Sequence, residues 1–152
     1  MGLKERIISD MKEAMRVKDD VRLSVLRMLL SDIKNEEVSG SERRDLTDEE
    51  VISVLKRAVK RRREAAEQFR QGNRQEMAER EEKEIKYIEI YLPPSLSDEE
   101  LKAIIQGAIT EVGANGVKDM GRVMRIVMDR VKGRADGRAV SEMVRRMLEG
   151  AP

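Results

Sequence analysis

The chain has 152 residues, enough for one substantial domain or two small ones, and 40% of them are charged against only 2% aromatic. With ten Met, one Phe and no Trp, packing falls to Leu, Ile, Val, Met and Ala, which favours helices over a β-sandwich. The absence of Cys and His excludes disulfides, thiolate nucleophiles, zinc-finger sites and imidazole acid–base chemistry.

A formal net charge of +1 gives the whole molecule no strong field. No run of about 20 apolar residues stands in the sequence, so no membrane-spanning helix is expected. The first residues are charged and include no apolar signal segment. The expectation is a soluble cytoplasmic protein without cofactor or metal.

Taken in order, the first helix is expected over Leu3 to Lys18, with Leu3, Ile7, Met11, Ala14 and Met15 turned inward. Asp19 or Asp20 can cap a second helix, which reaches about Glu37 on Val21, Val25, Leu26, Leu29, Leu30 and Ile33. Ser39-Gly40-Ser41 and the charged residues after it read as a mobile loop. Thr47 then opens a capping box with Glu50, in which each side chain satisfies the other's free amide.

A third helix follows to about Arg70 on Val51, Val54, Leu55, Ala58, Val59, Ala65 and Phe69. Gly72 ends it and Asn73 can cap a fourth. That fourth helix is polar from Gln75 to Glu84 and apolar at Ile85, Ile88, Tyr91 and Leu92, so its first half is expected to stand partly free of the core. Pro93-Pro94 cannot continue a helix and pushes the preceding residue to an extended conformation. The expected boundary lies here, between an N-terminal helical domain over residues 1–93 and a small tail domain over 94–152.

Ser97 and Glu100 repeat the capping-box pattern just after the prolines, and Leu101, Ile104, Ile105, Ala108, Ile109 and Val112 give a fifth helix up to Gly113. Next, Met120, Val123, Met124, Val127, Met128 and Val131 share one helical face. Val140, Met143, Val144, Met147 and Leu148 share another. Between them, Gly133 suits the left-handed position that stops a helix, and Asp136 can accept from the first amides of the next. The class is all-α: about four helices, then a three-helix tail.

What lies outside the tail's apolar faces is mostly positive. From Lys118 to Glu149 there are nine basic side chains and five acidic ones, a local excess suggestive of a polyanionic partner. Lys118, Arg122, Arg125, Lys132, Arg134 and Arg138 are the candidate nucleic-acid-binding residues. Arg134 and Arg138 flank a turn where exposed backbone amides would also suit phosphate. A bland reading makes Gly133 and Gly137 helix punctuation and the arginines solubility.

The segment Met120–Met124 (MGRVM), the turn Gly133–Arg138 and the closing helix Val140–Leu148 (VSEMVRRML) resemble the YqeY family. The opening stretch Leu3–Glu37 and the junction Ile90–Leu101 (IYLPPSLSDEEL) share the resemblance, which therefore covers nearly the whole chain. The tail is also similar to that of the B subunit of the tRNA-dependent amidotransferase that makes Gln-tRNA and Asn-tRNA. The resemblance implies an accessory protein whose tail contacts tRNA, or an enzyme that handles tRNA. Through the shared tail it also implies a carbon–nitrogen ligase label, with glutamine as amido donor. The residues give that label no mechanism: there is no Gly-Ser-rich amidase stretch, no phosphate-cradling glycine loop and no metal-binding cluster.

Two further features have competing readings. Lys56, Arg57, Lys60, Arg61, Arg62 and Arg63 place six basic residues within eight. They can grip a phosphate backbone, or form a solvated helix face paired with Glu64, Glu67 and the acids at 48–50; the second reading is preferred. Phe69, Tyr87 and Tyr91 sit at helical spacing among apolar neighbours, which places them in the core and leaves no rings for base stacking. A partner-docking hairpin of the third and fourth helices, or self-association, is the competing expectation for function.

Overall fold

A computed structural model describes residues 2–150, and these divide into two compact units, one up to Leu92 and one from Pro93. The chain is all-α: among the described residues there are seven α-helices, one 3-10 turn and no strand.

The first unit holds α1 (Leu3–Arg16), α2 (Asp20–Glu37), α3 (Asp48–Gln71) and α4 (Gln75–Glu89). Very short connections make α1–α2 and α3–α4 two helical hairpins. Both turn on a non-glycine left-handed residue, Lys18 and Asn73, each at φ 59°. In each turn the next amide bonds back across it: Asp19 N to Ala14 O at 2.9 Å and Arg74 N to Phe69 O at 2.7 Å. Asn73 is thus the stop of α3 rather than the cap of α4; the cap position belongs to Arg74, which makes no side-chain cap bond. Asp19 caps α2 by accepting from Arg22 N at 3.2 Å, and Thr47 and Glu50 complete the full capping box on α3.

Ile7, Leu26, Leu29, Ile33, Val51, Leu55 and Ile88 are fully buried and form the centre of the first core. Each buried aliphatic side chain of this size is worth about 1.5–3 kcal/mol. Several residues expected inside are not fully covered. Met15 and Val21 lie outside, 47% and 39% exposed, because they sit at the α1–α2 corner beyond the reach of α3 and α4. Phe69 is only half-buried, and Ala66 rather than Ala65 is fully covered. The first half of α4 stands partly free, as expected, with Ala78 its one completely buried residue, since a small side chain lets α4 lie close on α3.

The second unit contains α5 (Asp98–Val112), a 3-10 turn (Val117–Asp119), α6 (Met120–Val131) and α7 (Gly137–Leu148). Its core is aliphatic: Leu101, Ile105 and Ala108 from α5, Val123, Val127 and Val131 from α6, and Val140, Met143 and Val144 from α7. Ser97 caps α5 by accepting from Glu100 N at 3.1 Å. Only half of the expected box forms, for the Glu100 carboxylate accepts from the Ser97 hydroxyl instead of the backbone amide. Gly113, at φ 64°, ends α5 in the left-handed position. At the end of α6 two successive residues are left-handed, Lys132 at 45° and Gly133 at 78°. Met128, expected inside, is 38% exposed because it lies on the flank of the valine row. No described helix is long and apolar enough to cross a membrane.

Candidate nucleic-acid interface

The six candidate cations all lie in the second unit, and the fold sorts them into two kinds. Arg122 and Arg134 serve the fold. Arg122 donates to the Val112 carbonyl at 2.9 Å, satisfying an acceptor at the end of α5, and pairs with Asp119 at 3.5 Å. Arg134 donates from Nε to the Pro94 carbonyl at 3.1 Å, with Glu100 3.9 Å from its guanidinium. Its own carbonyl accepts from Leu96 N at 2.9 Å, and its amide donates to Val131 O at 2.9 Å. The α6–α7 turn is thereby stapled to the segment entering α5. The amide at Arg134 is not offered to a phosphate, contrary to expectation, because the turn closes on itself.

Lys118, Arg125, Lys132 and Arg138 are the second kind. All four are exposed. Lys118 stands in the 3-10 turn, Arg125 on the outside of α6, Lys132 at its end and Arg138 in the first turn of α7. Asp136 caps α7 by accepting from Ala139 N at 3.2 Å, so this carboxylate is committed to its own helix.

Sequence reasoning missed two features of this unit. Arg130 reaches back from α6 to Glu111 on α5, crossing Gly107 with Nη1 3.6 Å from where a β-carbon would stand. Gly121, in the first turn of α6, faces open space. The signal for the first was a glycine inside a helical pattern; the second becomes meaningful only once the outside of α6 is defined.

The dense cluster on α3 has a different character. Arg57 pairs with Glu36 at 3.3 Å and Arg61 with Asp32 at 2.9 Å, both on α2. Arg62 reaches Glu81 at 3.3 Å and also Glu84, and Arg63 reaches Glu89 at 3.5 Å. The preference for a paired face holds, but the partners differ from those expected. They come from the neighbouring helices rather than from Glu64, Glu67 or positions 48–50, because helix packing sets the pairing.

Six groups in the first unit have displaced proton affinities, and Glu37, Glu50 and Tyr91 are the ones tied to caps and core. Glu37 is buried, and hydrogen bonds from the Lys4 ammonium at 3.0 and 2.8 Å hold its carboxyl below the usual carboxylate range. Arg44, then the Thr47 amide, hold the Glu50 carboxyl down to about 2. Burial, then the bond to Asp10 at 2.5 Å, pushes the Tyr91 hydroxyl up. With Arg6 over its ring at 4.9 Å, Tyr91 is a core residue, as expected. Tyr87 and Phe69 are half-buried. No group of three or more acids that could hold a metal ion occurs among the described residues.

A family model described as Yqey-like protein matches residues 4–148. Among curated proteins the chain is similar to three named "Altered inheritance of mitochondria protein 41, mitochondrial". The one from Lachancea thermotolerans is 36% identical over 68% of this chain and 56% of its own length. The one from Clavispora lusitaniae is 34% identical over 79% of this chain and 71% of its own. The one from Pyrenophora tritici-repentis is 27% identical over 94% and 79% respectively. The chain thus spans little more than half of the first of these relatives. Their names also overturn the expected cytoplasmic location, since all three are named as mitochondrial proteins. The charged first residues were a poor guide, because a secretory signal is only one kind of address. A match running over almost every described residue, through both helical units, shows that the chain belongs to the YqeY family.

Proposed function

We propose that this protein is a tRNA-associated accessory factor that docks on the sugar–phosphate backbone through the outside of α6 and the start of α7. The observation that supports this most is the contrast in charge pairing. Arginines on α3 are matched by acids from α2 and α4, whereas Lys118, Arg125, Lys132 and Arg138 stand exposed on an otherwise nearly neutral chain. Exposed cations without acidic partners gain most from releasing a polyanion's counterions. Without exposed ring pairs for stacking, recognition rests on shape and backbone charge. Chemistry on the aminoacyl group is left to the enzyme that handles the tRNA.

The test is fluorescence anisotropy of labelled tRNA against the protein across a salt series. Micromolar or tighter binding with a log–log slope of several is the expected result. No binding at low salt, where electrostatics is strongest, would sink the reading.

One observation favours a second reading, a protein-docking module. Met15, Val17 and Val21 are 47%, 50% and 39% exposed around the α1–α2 corner, an apolar patch without cover among the described residues. Capture of a partner that survives nuclease treatment, with no RNA recovered, would put this reading first.

A further inference from the structure

The outer row of α6 begins on a glycine that packing does not require and ends on a lysine in the left-handed position of the turn, a conformation Lys18 also takes in the α1–α2 turn. Gly121 has an ordinary helical backbone, and a β-carbon built there would meet nothing within 4 Å. Neither a positive φ nor close packing requires glycine at this position, and inside a helix glycine is less stable than alanine. At the other end, Lys132 sits left-handed at φ 45°. Lysine adopts that conformation at a cost that glycine avoids, although Gly133 is the very next residue.

These two positions belong to one line. Spacings of four and seven residues return close to the same side of a helix, so Gly121, Arg125 and Met128 form a single row, with Lys132 at its end, one residue past α6. All four are exposed. Asp129, also exposed, is the acid on the adjoining row, and with it counted the row stays positive. Gly137 abuts the middle of the row, with Met128 Cε 3.9 Å from where its β-carbon would stand. Arg138, one residue further, adds a third cation nearby.

Where a sequence departs from local preference with no gain inside the fold, the gain lies with something outside it. We propose that this row is the track on which the tRNA backbone lies. Gly121 bares the helix so that a ribose or phosphate approaches its backbone, and Arg125 and Lys132 take phosphates. The two cations stand about 10 Å apart along the axis, a span that two long side chains can close on neighbouring phosphates. The occupant is a polyanion because the row's uncompensated charges are cations and Met128 is its one apolar member. This inference rests on the tRNA reading above and narrows it: Arg122 and Arg134 drop out, and a glycine that carries no charge enters.

The test uses the full chain and labelled tRNA in low and moderate salt. Gly121→Gln is expected to weaken binding at least tenfold, and Gly121→Ala less, with melting temperatures no lower than the parent's. Lys132→Gly is expected to weaken binding several-fold and lower the log–log salt slope by about one, again with no loss of stability. Weaker binding without weaker folding is a signature that a merely structural residue does not give. If the parent binds and Gly121→Gln and Lys132→Gly match it in affinity and slope, the track is wrong while the tRNA reading stands. Loss of stability in step with binding in both variants also overturns it. A parent that does not bind at low salt removes the tRNA reading and the track together.

Discussion

The two units use the same residue types to opposite ends. In the first, the cations that face a neighbouring helix are absorbed: Lys4 into Glu37, Arg22 toward Asp10, Arg61 into Asp32, Arg62 into Glu81 and Glu84. Others, such as Lys12, Lys34 and Lys60, stay exposed. In the second, Arg122, Arg130 and Arg134 are held by neighbouring elements, and the rest of the α6–α7 cations are exposed and form no ion pair. Density of basic residues is therefore a poor guide to which cations are left without an ion pair. The densest stretch in the sequence, on α3, is a knot between helices; the sparser one on α6 is left open. Substitutions can break this contrast or sharpen it.

The largest effect on folding is expected at Glu37. Its carboxylate is 1% exposed and is matched by Lys4, so Lys4→Met leaves a buried charge unpaired and costs about 3 kcal/mol. Glu37 also carries a pH signature. Its folded-state carboxyl sits below the ordinary range, so its contribution is complete above the unfolded value of about 4.3 and is lost as pH falls through the lower folded value. Glu37→Gln is expected to be less stable than the parent near neutrality, with the difference closing in acid. Urea unfolding at a series of pH values checks this, and a difference independent of pH refutes it.

Arg62 comes next. Its side chain is 11% exposed between Glu81 and Glu84, and Arg62→Met strands Glu81 and leaves Glu84 only Arg80 at 3.6 Å, at a cost of about 2 kcal/mol. Arg61→Ala, at a pair whose arginine is 60% exposed, is expected to cost less than about 1 kcal/mol. Equal losses in chemical denaturation would show that the α3 cluster is surface throughout and that the contrast between the units is overstated.

Arg134 tests the same contrast from the other side. Arg134→Ala removes its side-chain bond to the Pro94 carbonyl and is expected to destabilise the second unit by about 1 kcal/mol. Its effect on tRNA affinity is expected to be small once the protein is folded. An arginine that costs affinity but not stability at this position would return it to the interface.

Much of the fold was legible because helix faces and caps are local. The pairs Thr47–Glu50 and Asp136–Ala139 formed as the spacing required, and the valine row of α6 was buried whole. Legibility failed where tertiary context decides. Asn73 reads as a cap in sequence, but a left-handed turn claims it. Ala78 sits in a polar stretch and is still buried, because α3 lies over it. The partner of Arg134 was hidden in the same way: nothing local in GRADGR says that its first arginine reaches back 40 residues to Pro94. A cation's partner is a property of packing, and one-dimensional charge counts do not contain it.

The smallest effect on folding is expected for the cations left outside, and there the comparison between the units is sharpest. Arg125→Ala with Arg138→Ala removes two exposed side chains that make no ion pair, although Asp129 and Glu142 stand four residues on, so stability should change by less than about 0.5 kcal/mol. Arg57→Ala with Arg61→Ala removes two arginines that are also more than half exposed, yet each faces an acid on α2. An arginine already neutralised by a carboxylate releases few counterions when a polyanion arrives, since the carboxylate must first give it up. The α6–α7 double variant should therefore bind labelled tRNA more weakly, with the log–log salt slope lower by about two. The α3 double variant should keep both affinity and slope. Exchanged results, with slope lost only at Arg57 and Arg61, would place the polyanion on the first unit and make the outward cations of α6 no more than solubility.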